Sequence, residues 1–147
     1  LNICGIIDDI WENVKTGELH VVDYKSTSVN GEVSLDGEYK EGYKRQIEIY
    51  QWIFKQMGFK VSDIGYFVYA NGIKGYDKKF DGKLEFKTSI LSHKGDDSWV
   101  EPVILDIKKS LDSQEAPNST STCKYCGWRK LIEDENLKTQ KSLYGPR

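Results

Sequence analysis

From Ile64 to Ala70 the chain reads Ile-Gly-Tyr-Phe-Val-Tyr-Ala, with apolar or aromatic side chains at both odd and even positions. Successive side chains of a strand point to opposite faces, so a strand here is apolar on both. That pattern belongs to the middle of a sheet. With 147 residues, 38% of them hydrophobic and 30% charged, the chain is long enough to bury one core around such a strand and has the makeup of an ordinary soluble domain.

The remaining elements fall around that strand. Ile3 to Trp11 reads as a strand, Asn13 to Glu18 as a turn containing Gly17, and Leu19 to Lys25 as the second arm of a hairpin. A turn centred near Lys15 or Thr16 sets Asp8 opposite or close to Asp23, whereas a slip of one residue brings Asp9 to that face. Ser26 to Gly37 is polar and glycine-containing, a loop expected to be mobile near the hairpin's end. A helix is expected to begin between Glu38 and Gly42. Its apolar stripe through Ile47, Ile49, Tyr50, Trp52, Ile53, Phe54 and Met57 stops at Gly58.

Beyond the central strand, Asn71-Gly72 reads as a turn. Lys83 to Ser92 alternates Leu84, Phe86, Thr88 and Ile90 against Lys83, Glu85, Lys87 and Ser89, the pattern of an outer strand with one wet face. Ser98 to Leu111 suits an amphipathic helix with Ser98 as N-cap and Glu101 as its capping-box partner. Residues 1–112 are expected to form the core unit, and 113–147 a linker, a Cys-x-x-Cys segment and a polar C-terminal tail.

Charge and hydropathy exclude some classes. No apolar run approaches the roughly 20 residues of a membrane-spanning helix. The first residues carry neither the basic flank nor the cleavage site of a signal peptide, so a cytoplasmic protein is expected. The formal net charge of −2 lacks the basic excess of a dedicated nucleic-acid binder. An enzyme that grips phosphates locally needs only a basic rim. Lys15, Lys40, Lys44, Arg45, Lys108, Lys109, Lys124, Arg129 and Lys130 can supply one, and a solvated surface explains scattered cations equally well.

Three short patterns carry chemistry. Gly5-x-x-Asp8 ends near the first arm of the hairpin, Asp23-Tyr24-Lys25 ends the second, and Gln46-x-x-x-Tyr50 lies on the following helix. Asp23 and Lys25 share one strand face and Tyr24 takes the other. A carboxylate and an ammonium in one patch suit phosphodiester hydrolysis, where a carboxylate-bound cation polarises a phosphoryl oxygen and a nearby ammonium offsets developing charge. Gln46 and Tyr50 are one turn apart on one helical face, placed either to hydrogen-bond a phosphate or orient Lys25, or to serve as solvated neighbour and core residue. His20 lies on the strand face opposite Asp23 and His93 far along the chain, so both are expected in surface or packing roles.

In this order the three patterns resemble the PD-(D/E)xK nuclease superfamily, specifically its RecB-like exonuclease branch. The resemblance covers roughly residues 3 to 70. It implies a mixed α/β (α+β) fold, a central sheet flanked by helices with a restriction-endonuclease-like core. It implies Asp8 and Asp23 as ligands of Mg²⁺ or Mn²⁺, with the Tyr24 backbone carbonyl as a further ligand, since such ions take hard oxygen donors. Lys25 would position or activate water, Gln46 and Tyr50 would form the accessory motif, and DNA would be the substrate. Members usually carry an upstream helix with a His or Glu that completes the metal shell. The chain starts at Leu1 without an initiator Met, so that helix is expected to lie before it, and a partner chain or that segment would complete the site.

The Cys123-Lys-Tyr-Cys126 pair is the second candidate site, for an iron-sulfur cluster or zinc. Some RecB-like members hold a cluster with four cysteines. Here only Cys4 stands besides the pair, and Cys4 is expected inside a strand as a small core residue. Two other readings stay open: a non-catalytic relative that binds DNA or a protein partner as a scaffold, and an unrelated metal-binding module centred on Cys123 and Cys126.

Overall fold

The structure is a computed structural model describing residues 1–74 and 82–144. Among the described residues the elements run β1 (Asp9–Glu12), β2 (Leu19–Thr27), α1 (Glu38–Gln56), β3 (Ile64–Gly72), β4 (Phe86–Lys94), α2 (Val100–Asp112) and α3 (Lys124–Tyr144). One four-stranded sheet has the order β1-β2-β3-β4. β1 and β4 are antiparallel to their neighbours, while β2 and β3 are parallel. The fold is mixed α/β, and the doubly apolar β3 is flanked by a strand on each side, as its sequence requires. Two compact units are distinguished, residues 1–106 and 107–147. The first holds the sheet and α1, and the second holds α3.

Asn13 builds the hairpin turn. Its side-chain oxygen accepts the Lys15 N–H at 3.0 Å, its own N–H donates to the Glu18 carbonyl at 2.9 Å, and Gly17 takes a φ of 67°. The resulting register pairs Asp9 with Val22 and Glu12 with Leu19, so the turn is centred between Lys15 and Thr16. Extending that register by one residue sets Asp8 level with Asp23.

Parallel strands cannot be joined by a tight turn, and the 19-residue α1 provides the crossover from β2 to β3. Its end follows from Gly58, which has a φ of 88° and closes a Schellman-type cap: Gly58 N–H donates to the Lys55 carbonyl and Phe59 N–H to the Phe54 carbonyl. α1 lies against Val21, Phe67 and Tyr69 through Ile47, and all four are buried. Each such side chain contributes about 1.5–3 kcal/mol through burial. The approach is close because Gly65 has no side chain; a Cβ there would stand 2.5 Å from Ile47 Cγ2.

Several expectations are corrected. The first strand begins at Asp9 rather than Ile3, because residues 5 and 6 rest on Tyr50 of α1 instead of pairing along the sheet. Cys4 is exposed and outside any strand, so it is not a core residue. Asn71 and Gly72 continue β3 rather than turn, because the buried Asn71 side chain pairs with the backbone of Val29, accepting its N–H at 2.9 Å and donating to its carbonyl at 3.1 Å. The loop that follows β2 is thereby fastened, and its Val33 and Leu35 pack on the core.

β4 is an edge strand as expected, but with its faces exchanged: Phe86 and Ile90 are 54% and 58% exposed, while Leu91 packs against the core. α2 starts at Val100, two residues past the expected cap, because Ser98 gives its N–H and its hydroxyl to Asp96. The segment read as a polar tail is helical as α3, and residues 145–147 lie outside the described residues.

Two glycines should respond oppositely to alanine. Gly65→Ala drives a methyl into the branched, buried Ile47 side chain and should cost about 1–3 kcal/mol. Gly42→Ala, inside α1 with open space at its Cβ position, should stabilise by about 0.4–1 kcal/mol. Urea midpoints of the two variants, read at constant slope, check both signs.

Candidate active site

Strand alternation in β2 turns Val21, Asp23 and Lys25 toward α1. Asp23 is 3% exposed. Lys25 Nζ lies 2.5 Å from Asp23 Oδ2, so the buried carboxylate has a cation beside it. The contact is not an aligned hydrogen bond: Asp23 Oδ2 receives no aligned donor from any described group. Desolvating a carboxylate costs several kcal/mol, and an ion pair alone returns that only when the remaining lone pairs are also satisfied. Oδ2 is thus matched in charge by Lys25, while the carboxylate as a whole has further lone pairs that a second cation can share.

Asp8 is brought to the same place by the backbone. Its Oδ2 accepts the Tyr24 N–H at 2.9 Å, which seats the exposed carboxylate at the Asp23-Tyr24 peptide. Asp9, one residue on, is directed elsewhere. Its carboxylate accepts the Tyr24 hydroxyl at 2.7 Å and the Trp11 indole N–H at 3.2 Å. The Tyr24 hydrogen bond, seconded by the Ile10 N–H, holds the Asp9 carboxyl below its ordinary value, and the same bond raises the Tyr24 phenol. The Tyr24 carbonyl belongs to the part of β2 in register with Val68 of β3.

Gln46 and Tyr50 share a face of α1, and Gln46 Nε2 approaches the Tyr50 hydroxyl at 3.4 Å. That hydroxyl donates to the Ile6 carbonyl at 2.7 Å. Gly5 lies on the same ring; a Cβ there would come within 2.5 Å of Tyr50 Cε1. The first and third sequence patterns therefore meet, and Tyr50 clamps residues 5 and 6 two positions before Asp8. Among the described residues, neither Gln46 nor Tyr50 hydrogen-bonds Lys25.

Lys25 is oriented instead by Tyr43, whose ring centroid lies 4.6 Å from Nζ. Sequence reading missed this residue, although Tyr43 stands one helical turn before Ile47 on the sheet-facing stripe. It also missed Gln51, buried in α1 and donating to the Ser62 carbonyl at 3.0 Å, and Glu48. Glu48 accepts the Trp99 indole N–H at 2.7 Å and pairs with His93 Nε2 at 3.0 Å. His93 thus has a packing role. His20, on the face away from Asp23, stacks on Tyr66 with ring centroids 5.3 Å apart.

In the second unit, Cys123 precedes α3 and Cys126 lies in its first turn, with the Cys126 N–H directed at Cys123 Sγ at 3.5 Å. Hydrogen bonds from the Cys126 backbone and thiol lower the Cys123 thiol, and its reciprocal bond raises Cys126. Among the described residues no group of three His, Cys, Asp or Glu side chains gathers as a metal site, around these thiols or around Asp8 and Asp23. What the described residues do bring together is a pair of hard-oxygen carboxylates, Asp8 on the Tyr24 N–H and the buried Asp23, with the Lys25 ammonium against the latter. That donor set suits a divalent cation of the Mg²⁺ or Mn²⁺ kind.

No helix among the described residues is long and apolar enough to cross a membrane. No curated protein and no solved structure matches the chain. The family model of the PD-(D/E)XK nuclease superfamily, a group that generally uses divalent metals, matches residues 1–131 and so takes in the sheet, α1 and all three sequence patterns. With a match over most of its length, the chain belongs to the PD-(D/E)XK nuclease superfamily.

Proposed function

We propose that this protein is a divalent-metal-dependent deoxyribonuclease of the RecB-like exonuclease type, hydrolysing phosphodiester bonds in DNA. The observation that carries the reading is the buried Asp23, paired with Lys25 and approached by Asp8 through the Tyr24 N–H. The RecB-like assignment rests on the order of Gly5-x-x-Asp8, Asp23-Tyr24-Lys25 and Gln46-x-x-x-Tyr50.

Asp8 and Asp23 would hold Mg²⁺ or Mn²⁺, with the Tyr24 carbonyl as a further oxygen ligand. The ion supplies Lewis-acid polarisation of a phosphoryl oxygen and a more acidic water. Lys25 hydrogen-bonds the attacking water and keeps it in line with the phosphorus, and its charge offsets the negative charge that grows on the phosphoryl oxygens. Tyr43 restrains that ammonium, so its position is set before substrate arrives. Tyr50, supported by Gln46, fixes the segment leading to Asp8 and so the separation of the two carboxylates. Cys123 and Cys126 would serve an iron-sulfur cluster or zinc only with ligands from an additional segment or a partner chain.

Labelled single- and double-stranded DNA incubated with Mg²⁺ or Mn²⁺ tests the reading. Wild type should release nucleotides from ends, and EDTA should stop it. Asp23→Asn and Lys25→Met should each lower the rate by about 10²-fold or more, the scale for losing one electrostatic contact to a transition state. Calorimetric titration should show Mn²⁺ binding lost in Asp23→Asn and kept in Lys25→Met. DNA binding with no cleavage under any metal would instead mark a scaffold that keeps the fold.

The Tyr50 clamp gives a separate expectation. Tyr50→Phe removes the bond to the Ile6 carbonyl but keeps the ring, and should cost about 0.5–1.5 kcal/mol of stability. Gly5→Ala should displace the ring and lower metal affinity through Asp8, with Asp23 untouched. Thermal melts with and without Mn²⁺ separate the two effects, since only a folded-state ligand raises Tm.

A further inference from the structure

Lys40, in the first turns of α1, has a setting that differs from the other cations expected along the rim. Lys44 is paired with Glu41, Lys108 with Asp112 and Arg129 with Glu133. Lys15, Arg45, Lys109, Lys124 and Lys130 are exposed. Lys40 is half-buried and pairs with no carboxylate among the described residues. Its ammonium is held by aromatic groups: it donates to the Tyr69 hydroxyl at 3.0 Å and lies 4.8 Å from the Tyr69 ring centroid and 5.3 Å from that of Tyr43.

These contacts fix the ammonium without neutralising it. A phenol oxygen and two π faces attract a cation, yet none carries a countercharge, and among the described residues the Tyr69 hydroxyl is the one hydrogen-bond acceptor the ammonium has. The location is equally specific. Tyr69 is the β3 residue in register with Lys25, and Tyr43 is the ring that restrains Lys25 at 4.6 Å. The two ammoniums therefore share one aromatic ring, but only Lys25 has Asp23 as counterion. Two ammoniums against one ring, of which only Lys25 is paired with a carboxylate, leave a net positive charge there that an anion can offset.

We propose that Lys40 is a substrate-binding residue that takes a non-bridging oxygen of the phosphate next to the scissile one, so that Lys25 and Lys40 read neighbouring phosphates of a single strand. This rests on the nuclease reading of Asp8, Asp23 and Lys25. Lys40 acts as a point charge on the backbone and is indifferent to base identity. Its fixed position supplies alignment as well as attraction: a strand gripped at two successive phosphates presents the scissile one in a single orientation.

The test uses Lys40→Met, which keeps a chain to pack on the two rings, and Lys40→Arg, which keeps the charge. Binding to a fluorescent oligonucleotide in EDTA is followed by anisotropy across a salt series, and cleavage is followed with Mn²⁺. Lys40→Met should weaken binding about 5–10-fold irrespective of sequence and lower the salt slope by about 0.7–0.9, the share of one phosphate contact. Lys40→Arg should retain most of both.

A neutral methylphosphonate is then placed next to the cleaved bond. It should raise KM for wild type and have little effect on Lys40→Met, an interaction that a purely structural lysine would not produce. Unchanged salt slope and KM in Lys40→Met, or equal sensitivity of both proteins to the methylphosphonate, would overturn the assignment. Should Lys40→Met lower Tm, the wild-type and Lys40→Arg response to the methylphosphonate decides. Absence of cleavage by wild type would defeat the nuclease reading itself, while the anisotropy series would still report whether Lys40 binds phosphate.

Discussion

The contact between Ile47 and Gly65 sets the height of α1 above the sheet, and much else depends on that height. With any side chain at position 65 the helix would ride further from β2 and β3. At its present depth, Tyr43 reaches Lys25 at one end of the helix. Two turns further along Tyr50 meets Gly5 and the Ile6 carbonyl, and the adjoining Gln51 reaches the Ser62 carbonyl. Packed interiors transmit small displacements rather than absorb them, so a shift of the helix would disturb all three contacts together.

A second consequence of that depth concerns Glu48. It accepts from Trp99 and the Asp96 N–H and pairs with His93, tying α1 to the end of β4 and to the chain entering α2. Gly95 is needed beside it, because a Cβ there would come within 2.4 Å of Gln51 Oε1. α1 thus braces Lys25 through Tyr43 on one side and, through Glu48 on another, the end of β4 and the chain entering α2. The carboxylate at Glu48 is consumed by structure, whereas those at Asp8 and Asp23 keep acceptor capacity.

The doubly apolar run that became β3, the helical stripe that became α1 and the glycine that ended it were legible because each is a local pattern. Asp23 with Lys25, and Gln46 with Tyr50, could each be read onto one face because strand and helix periods are local, and the structure brings each pair together. What escaped depended on partners distant in sequence. The faces of β4 were exchanged because Leu91, not Ile90, meets the core, and alternation alone cannot say which side of an edge strand is covered. Asn71 looked like a turn residue until Val29 was beside it. Lys40 was one of many cations on a possible rim and Tyr43 stood unremarked in the helix, since nothing local reveals that Tyr69 and Lys25 lie beside them.

The Tyr50 clamp also explains the information carried by Gly5-x-x-Asp8. Position 5 is dictated by a ring edge and position 8 by a carboxylate on a backbone N–H. Position 6 is read only through its carbonyl, its side chain being 88% exposed, and position 7 only through the apolar surface it lends the core. A signature built this way is sparse in letters and dense in geometry. Position 6 can therefore change freely and position 7 can take another hydrophobe while the same carboxylate is presented at the same point, so the arrangement constrains few letters of the sequence.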